Sequence, residues 1–135
     1  MSEMRRIEVE ISPGEMFDKI TILEIKSERM SDAGKRANVE LERRTLAAVA
    51  EPILQECAEL ASHIGQLKQV NESLWDIEDE IRRCELAGDF GDRFIELARS
   101  VYQTNDDRAA IKRRINVLLG SQLVEEKEYV EYKAS

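Results

Sequence analysis

The sequence predicts an all-α fold: an antiparallel bundle of four to five helices built on a long helical hairpin, with a short N-terminal β-strand. Three observations predict it. From residue 60 to residue 119, apolar side chains recur at three- and four-residue spacing along two arms, separated only by Gly88-Asp89-Phe90-Gly91-Asp92. Ser12-Pro13-Gly14-Glu15 is a capping box with proline at the first helical position, a specific signal for a helix start. Residues 5–11 alternate apolar and polar with a period of two, the pattern of a strand.

In that strand Ile7, Val9 and Ile11 face one way and Glu8 and Glu10 the other. No second strand pattern follows, so its backbone groups need a partner or water. The same strand of a second chain could supply one; the alternative is an extended tail laid on the bundle. The first helix is expected at about 13–30. Met16, Phe17, Ile20, Ile22, Leu23 and Ile25 are apolar on more than one side, which buries its middle. Asp18, Lys19, Thr21 and Glu24 are interleaved; Glu24 either pairs with a cation of the hairpin or points out at the rim.

Asp32 is expected to cap a second helix at about 33–51, which Pro52 ends or kinks. A third helix follows at about 53–87. Gly65 inside it costs about 1 kcal/mol relative to alanine and is read as a close helix crossing. Gly88 suits the left-handed residue that ends a helix, and Asp89 suits the N-cap of a fourth helix at about 92–119. Thr104-Asn105-Asp106-Asp107 either interrupts that helix or is carried through it. Gly120-Ser121 closes it and caps a last short helix at about 121–132.

At 135 residues the chain is long enough for one domain with a single core. With 42% hydrophobic and 36% charged residues it suits long solvated helices rather than disorder. A net charge of -8 argues against sequence-independent nucleic-acid binding, which needs a basic surface. The cluster Lys112-Arg113-Arg114 is read as a solvated helix face. No apolar run approaches the roughly 20 residues of a membrane span, and the N-terminus has no apolar signal core. Cys57 and Cys84, on one helix, would lie about 40 Å apart at ~1.5 Å per residue, far beyond a disulfide. A cytoplasmic chain with reduced thiols is expected, with no membrane or nucleic-acid partner. A homo-oligomer through the N-terminal strand or helical faces is the partner the sequence offers.

Folding the hairpin near residue 90 pairs positions whose numbers sum to about 180. Glu78 then falls near Tyr102, Trp75 near Asn105, Asn71 near Arg108, and Lys112 near Leu67 and Lys68. Polar positions of both arms meet at one level. Asn71, Trp75, Glu78, Tyr102, Asn105, Arg108 and Lys112 are therefore candidate ligand-binding residues. Arg and Lys grip an anion, Asn and Tyr orient it, and Trp75 offers a stacking wall. Glu78 would serve as acid or base if desolvated. The same set can simply fix helix register. A dry, closed and internally paired layer would favour that structural role; a concave pocket reaching Arg108 and Lys112 would favour a ligand.

No catalytic residue is assigned. The sequence has no Gly-x-Ser-x-Gly elbow, no evident histidine partner for either cysteine and no glycine-rich phosphate loop. His63, the one histidine, follows Glu59 by four, not the Glu-x-x-His of bundle metal sites. Asp76, Asp79 and Glu80 spread round their helix. No metal and no cofactor is expected.

The strings SPGEMFDKITILEIK, NESLWDIEDEIR, FIELARSVYQTNDDRAAIKRRIN and LGSQLVEEKEY together resemble a family of small bacterial proteins described as a domain of unknown function. The resemblance runs nearly end to end. It implies an all-helical bacterial protein and supplies no reaction, cofactor or catalytic residue. The function favoured here is a non-catalytic helical interaction or scaffold module that self-associates. The rival is a binding protein or enzyme that takes an anionic or sugar-derived ligand in the polar layer.

Overall fold

Side chains set the first two helix starts. In the computed structural model, which describes residues 4–133, Ser12 Oγ accepts the Glu15 N–H at 3.2 Å and opens α1 (Pro13–Arg29). Asp32 Oδ1 accepts the Lys35 N–H at 2.8 Å and opens α2 (Ala33–Glu56). Helix α3 (Leu60–Ala87) ends at Gly88, whose φ of 67° is the left-handed conformation that glycine adopts without a Cβ clash. Asp89 does not cap the next helix. Its Oδ1 accepts the Gly91 N–H at 3.1 Å within the turn, and Gly91 is the N-cap of α4 (Asp92–Leu118). That helix runs through residues 104–107 without a break.

Helices α3 and α4 form the expected antiparallel hairpin and share the most extensive helix contact, while α1 touches each of the other three. The register is the one the turn imposes: Val70 and Ala110, Ser73 and Asp107, and Gln66 and Arg114 line one shallow groove. Phe17 and Ile20 of α1 and Ala50 of α2 meet Leu60 and Leu67 of α3 and Ile111 and Ile115 of α4 in one buried cluster. Among the described residues, no helix is long and apolar enough to cross a membrane.

Four further expectations fail. The described residues contain four helices and no strand. Residues 5–11 form no ladder because no other segment offers one, and Ile7 and Val9 remain 78% and 74% exposed. The helix expected at 121–132 is absent. Its apolar residues lack a helical period, and a segment that short is marginal alone; it lies irregular along α4 instead. Pro52 does not end α2. The lost N–H costs about 3 kcal/mol, but Ala50, Ile53 and Cys57 pack on the core across it, and the break falls at residues 57–59. Gly65 marks no crossing, since a Cβ there would meet nothing within 4 Å. The close approach is at Gly14, where a Cβ would lie 2.5 Å from the Lys112 carbonyl oxygen.

Candidate functional site

The site begins with one face of α1. Gly14, Asp18, Thr21 and Ile25 recur at helical spacing and all four are buried. The Asp18 side chain is 2% exposed. Its Oδ1 accepts from Arg108 Nε at 2.8 Å and from Asn71 Nδ2 at 2.9 Å. Its Oδ2 accepts from Arg108 Nη2, completing a two-pronged pair. Asn71 Nδ2 also donates to Thr21 Oγ1 at 3.0 Å, and the Thr21 hydroxyl donates to the Asp18 carbonyl at 2.8 Å. One carboxylate of α1 thus ties α3 to α4. The hydrogen bond to Asp18 holds the Arg108 guanidinium above its ordinary value despite the opposing effect of burial.

One turn further along α4, the Lys112 side chain is only 10% exposed. Its ammonium lies 2.8 Å from Glu15 Oε2 and 2.9 Å from Glu125 Oε2. Burial pulls the ammonium down, but hydrogen bonds to the two carboxylates outweigh it and leave the net shift upward. The hydrogen bond from Lys112 lowers Glu125. Glu15 therefore serves α4, and the second half of the capping box does not form. A further turn on, Asn116 Oδ1 accepts the Gly14 N–H at 2.7 Å. A first-turn donator of α1 without an intrahelical partner is thus satisfied by α4. The Asn116 carbonyl accepts the Ser121 N–H at 2.9 Å, so the C-terminal tail leaves the bundle at the same point.

Five of the seven expected residues come together: Asn71, Trp75, Glu78, Asn105 and Arg108 line an open groove of about 480 Å³. The pairings of Asn71 with Arg108 and of Trp75 with Asn105 therefore stand. Glu78 and Tyr102 do not share a groove. Glu78 pairs with Arg82 of its own helix, whereas Tyr102 packs edge-on against Tyr132 with ring centroids 4.9 Å apart. Trp75 carries the Arg29 guanidinium 5.9 Å from its ring centroid. Lys112 is buried rather than solvated, and Lys68 turns away to Glu24 at 3.4 Å and Glu28 at 2.5 Å. Glu24 thus finds its cation in the hairpin. Sequence reasoning missed Asp18, Thr21, Asn116 and Glu125. The available signal was small and polar residues, Gly14, Asp18 and Thr21, at helical spacing on an otherwise apolar helix.

The tail has little else to hold it. Residues 122–133 are all exposed, and its clasps to α4 are Glu125 on Lys112, Glu126 near Arg113 at 3.7 Å, and Tyr132. The Tyr132 hydroxyl donates to Asp106 Oδ2 at 2.7 Å, and this hydrogen bond to a carboxylate raises its pKa to about 12. Glu125 has a lowered value in the folded chain, so its contribution is present above the ordinary glutamate range and lost as pH falls through the lowered value. The Lys112 contribution is present below the ordinary lysine value and lost as pH rises through the raised one. Docking is therefore expected to hold between those limits and to loosen in acid, by no more than about 1 kcal/mol because the Glu125 side chain is 43% exposed and water screens its charge. Backbone order parameters of residues 122–133 should fall between pH 7 and pH 3 while those of α4 stay constant.

No curated protein and no solved structure matches the chain. A family model described as a family of unknown function, DUF6165, matches residues 7–134. A helical hairpin closed on one buried carboxylate, with both end segments leaving beside Asn116, is the arrangement found in this chain, which belongs to that family of unknown function, DUF6165.

Proposed function

We propose that this protein is a non-catalytic, cytoplasmic helical interaction module that self-associates. The observation that carries this reading is the saturation of Asp18: its carboxylate accepts three hydrogen bonds from Arg108 and Asn71. A group so paired spends its charge on closing α1 against the hairpin rather than on a substrate. The surface for association is the extended N-terminal segment. Ile7, Val9 and Ile11 are exposed there, and among the described residues no backbone hydrogen bond reaches residues 5–11. A second copy covers these side chains and takes up the free backbone groups.

Light scattering coupled to size exclusion tests the proposal. A dimer or larger species is expected at high micromolar concentration, reverting toward monomer when Ile7 and Val9 are both replaced by Ser. A monomer at every concentration would overturn it. A second reading, a ligand site, rests on the open groove beside Trp75 and Arg108. A small molecule carried through purification and seen by native mass spectrometry of the same sample would favour it.

A further inference from the structure

We propose that the cleft over Lys112 is a binding site for a compact oxyanion, the carboxylate or phosphate group of a small molecule. Glu125 of the tail occupies that site as an internal substitute. The cleft measures about 270 Å³, against ~30 Å³ for a water molecule in the liquid, so it has room for such a group with water around it. Asn105, Arg108, Lys112 and Lys127 line it together with the carboxylates of Glu15 and Glu125. The Arg108 guanidinium carries five N–H groups and Asp18 takes two of them. The Lys112 ammonium has three donors and engages one carboxylate from α1 and one from the tail.

The two carboxylates are not equivalent. Glu15 belongs to a helix that is fixed by the core. Glu125 belongs to a segment whose residues 122–133 are exposed and which is held to α4 by side chains. Exchange of Glu125 for an external oxyanion leaves Lys112 with two anionic neighbours, so the nearly buried ammonium is never left with a reduced charge balance. Anion binding and tail docking are mutually exclusive, and each weakens the other by the same factor.

The test is a nuclear magnetic resonance titration of the full chain with sodium acetate and, separately, inorganic phosphate. Sodium chloride holds the ionic strength constant. Saturable shifts are expected at Arg108 and Lys112, with loss of order over residues 122–133. Saturation by acetate alone assigns a carboxylate ligand, and saturation by phosphate alone a phosphate ligand. Glu125→Gln removes the competitor's charge and should tighten binding about five-fold, the equivalent of ~1 kcal/mol. Lys112→Gln should abolish it. Shifts that follow ionic strength regardless of anion, or equal affinity in Glu125→Gln and the parent chain, would overturn the proposal.

Discussion

Arg108→Met is expected to lower the free energy of unfolding by about 3 kcal/mol, measured by chemical denaturation followed by circular dichroism. Removing one partner of a buried ion pair costs roughly 3–5 kcal/mol, because the other charge stays behind without compensation. The Asp18 side chain is 2% exposed and would keep only Asn71 as a donor from another side chain. The lower end of the range applies because the Arg108 side chain is 28% exposed, and water reaches the vacated position. Methionine retains most of the aliphatic length, so the loss reads on the guanidinium rather than on packing. Arg82→Met provides the contrast. Its pair with Glu78 lies on the exposed face of one helix, and such pairs contribute about 0.5 kcal/mol or less. A similar small loss for both variants would mean that the Asp18 pair does not close α1 on the hairpin.

Gly14→Ala is expected to destabilise by about 1–3 kcal/mol, the usual cost of forcing a methyl group into filled space. An added Cβ would stand 2.5 Å from the Lys112 carbonyl oxygen and 2.9 Å from Asn116 Oδ1. The first obstacle is backbone of α4, so relief requires α1 to move away and to stretch the Gly14–Asn116 hydrogen bond. Elsewhere in a helix the same replacement has the opposite sign, since glycine is the poorer helix former by roughly 0.5–1 kcal/mol. Gly65→Ala should therefore stabilise by about that amount, because nothing lies within 4 Å of the new Cβ. The two variants in one thermal melt series should move Tm in opposite directions.

The hairpin was legible in the sequence because its signals are local. Gly88 needs a left-handed backbone, Asp32 and Ser12 cap neighbouring N–H groups, and the stripe through Leu60, Ile64 and Leu67 follows from helical periodicity alone. The register followed from the turn position, which is why Asn71 meets Arg108. What the sequence did not disclose is what α1 adds to that pair. Asp18 lies three residues past the capping box and looked like one polar residue among several; its role depends on which face of α1 meets the hairpin, a long-range fact. Glu15 looked committed to capping, yet a buried ammonium 2.8 Å away is the stronger partner. Pro52 failed as a terminator because core packing outweighed a local cost. The end segments were misassigned for related reasons: the alternation over residues 5–11 is real but a ladder needs a second strand that no described segment supplies, and residues 121–132 carry a cap signal without the apolar period that would hold a helix on the bundle.

The central claim is that Asp18 and Arg108 act as a unit, and a double-mutant cycle measures it most directly. Asp18→Ala, Arg108→Met and the double variant are compared with the parent chain by denaturant unfolding. The account predicts a coupling energy of about 2–3 kcal/mol, the upper part of the range for residues in one network. It also predicts that the double variant is at least as stable as Arg108→Met alone, because no buried charge is then left unpaired. Losses that simply add to within ~0.5 kcal/mol would contradict it.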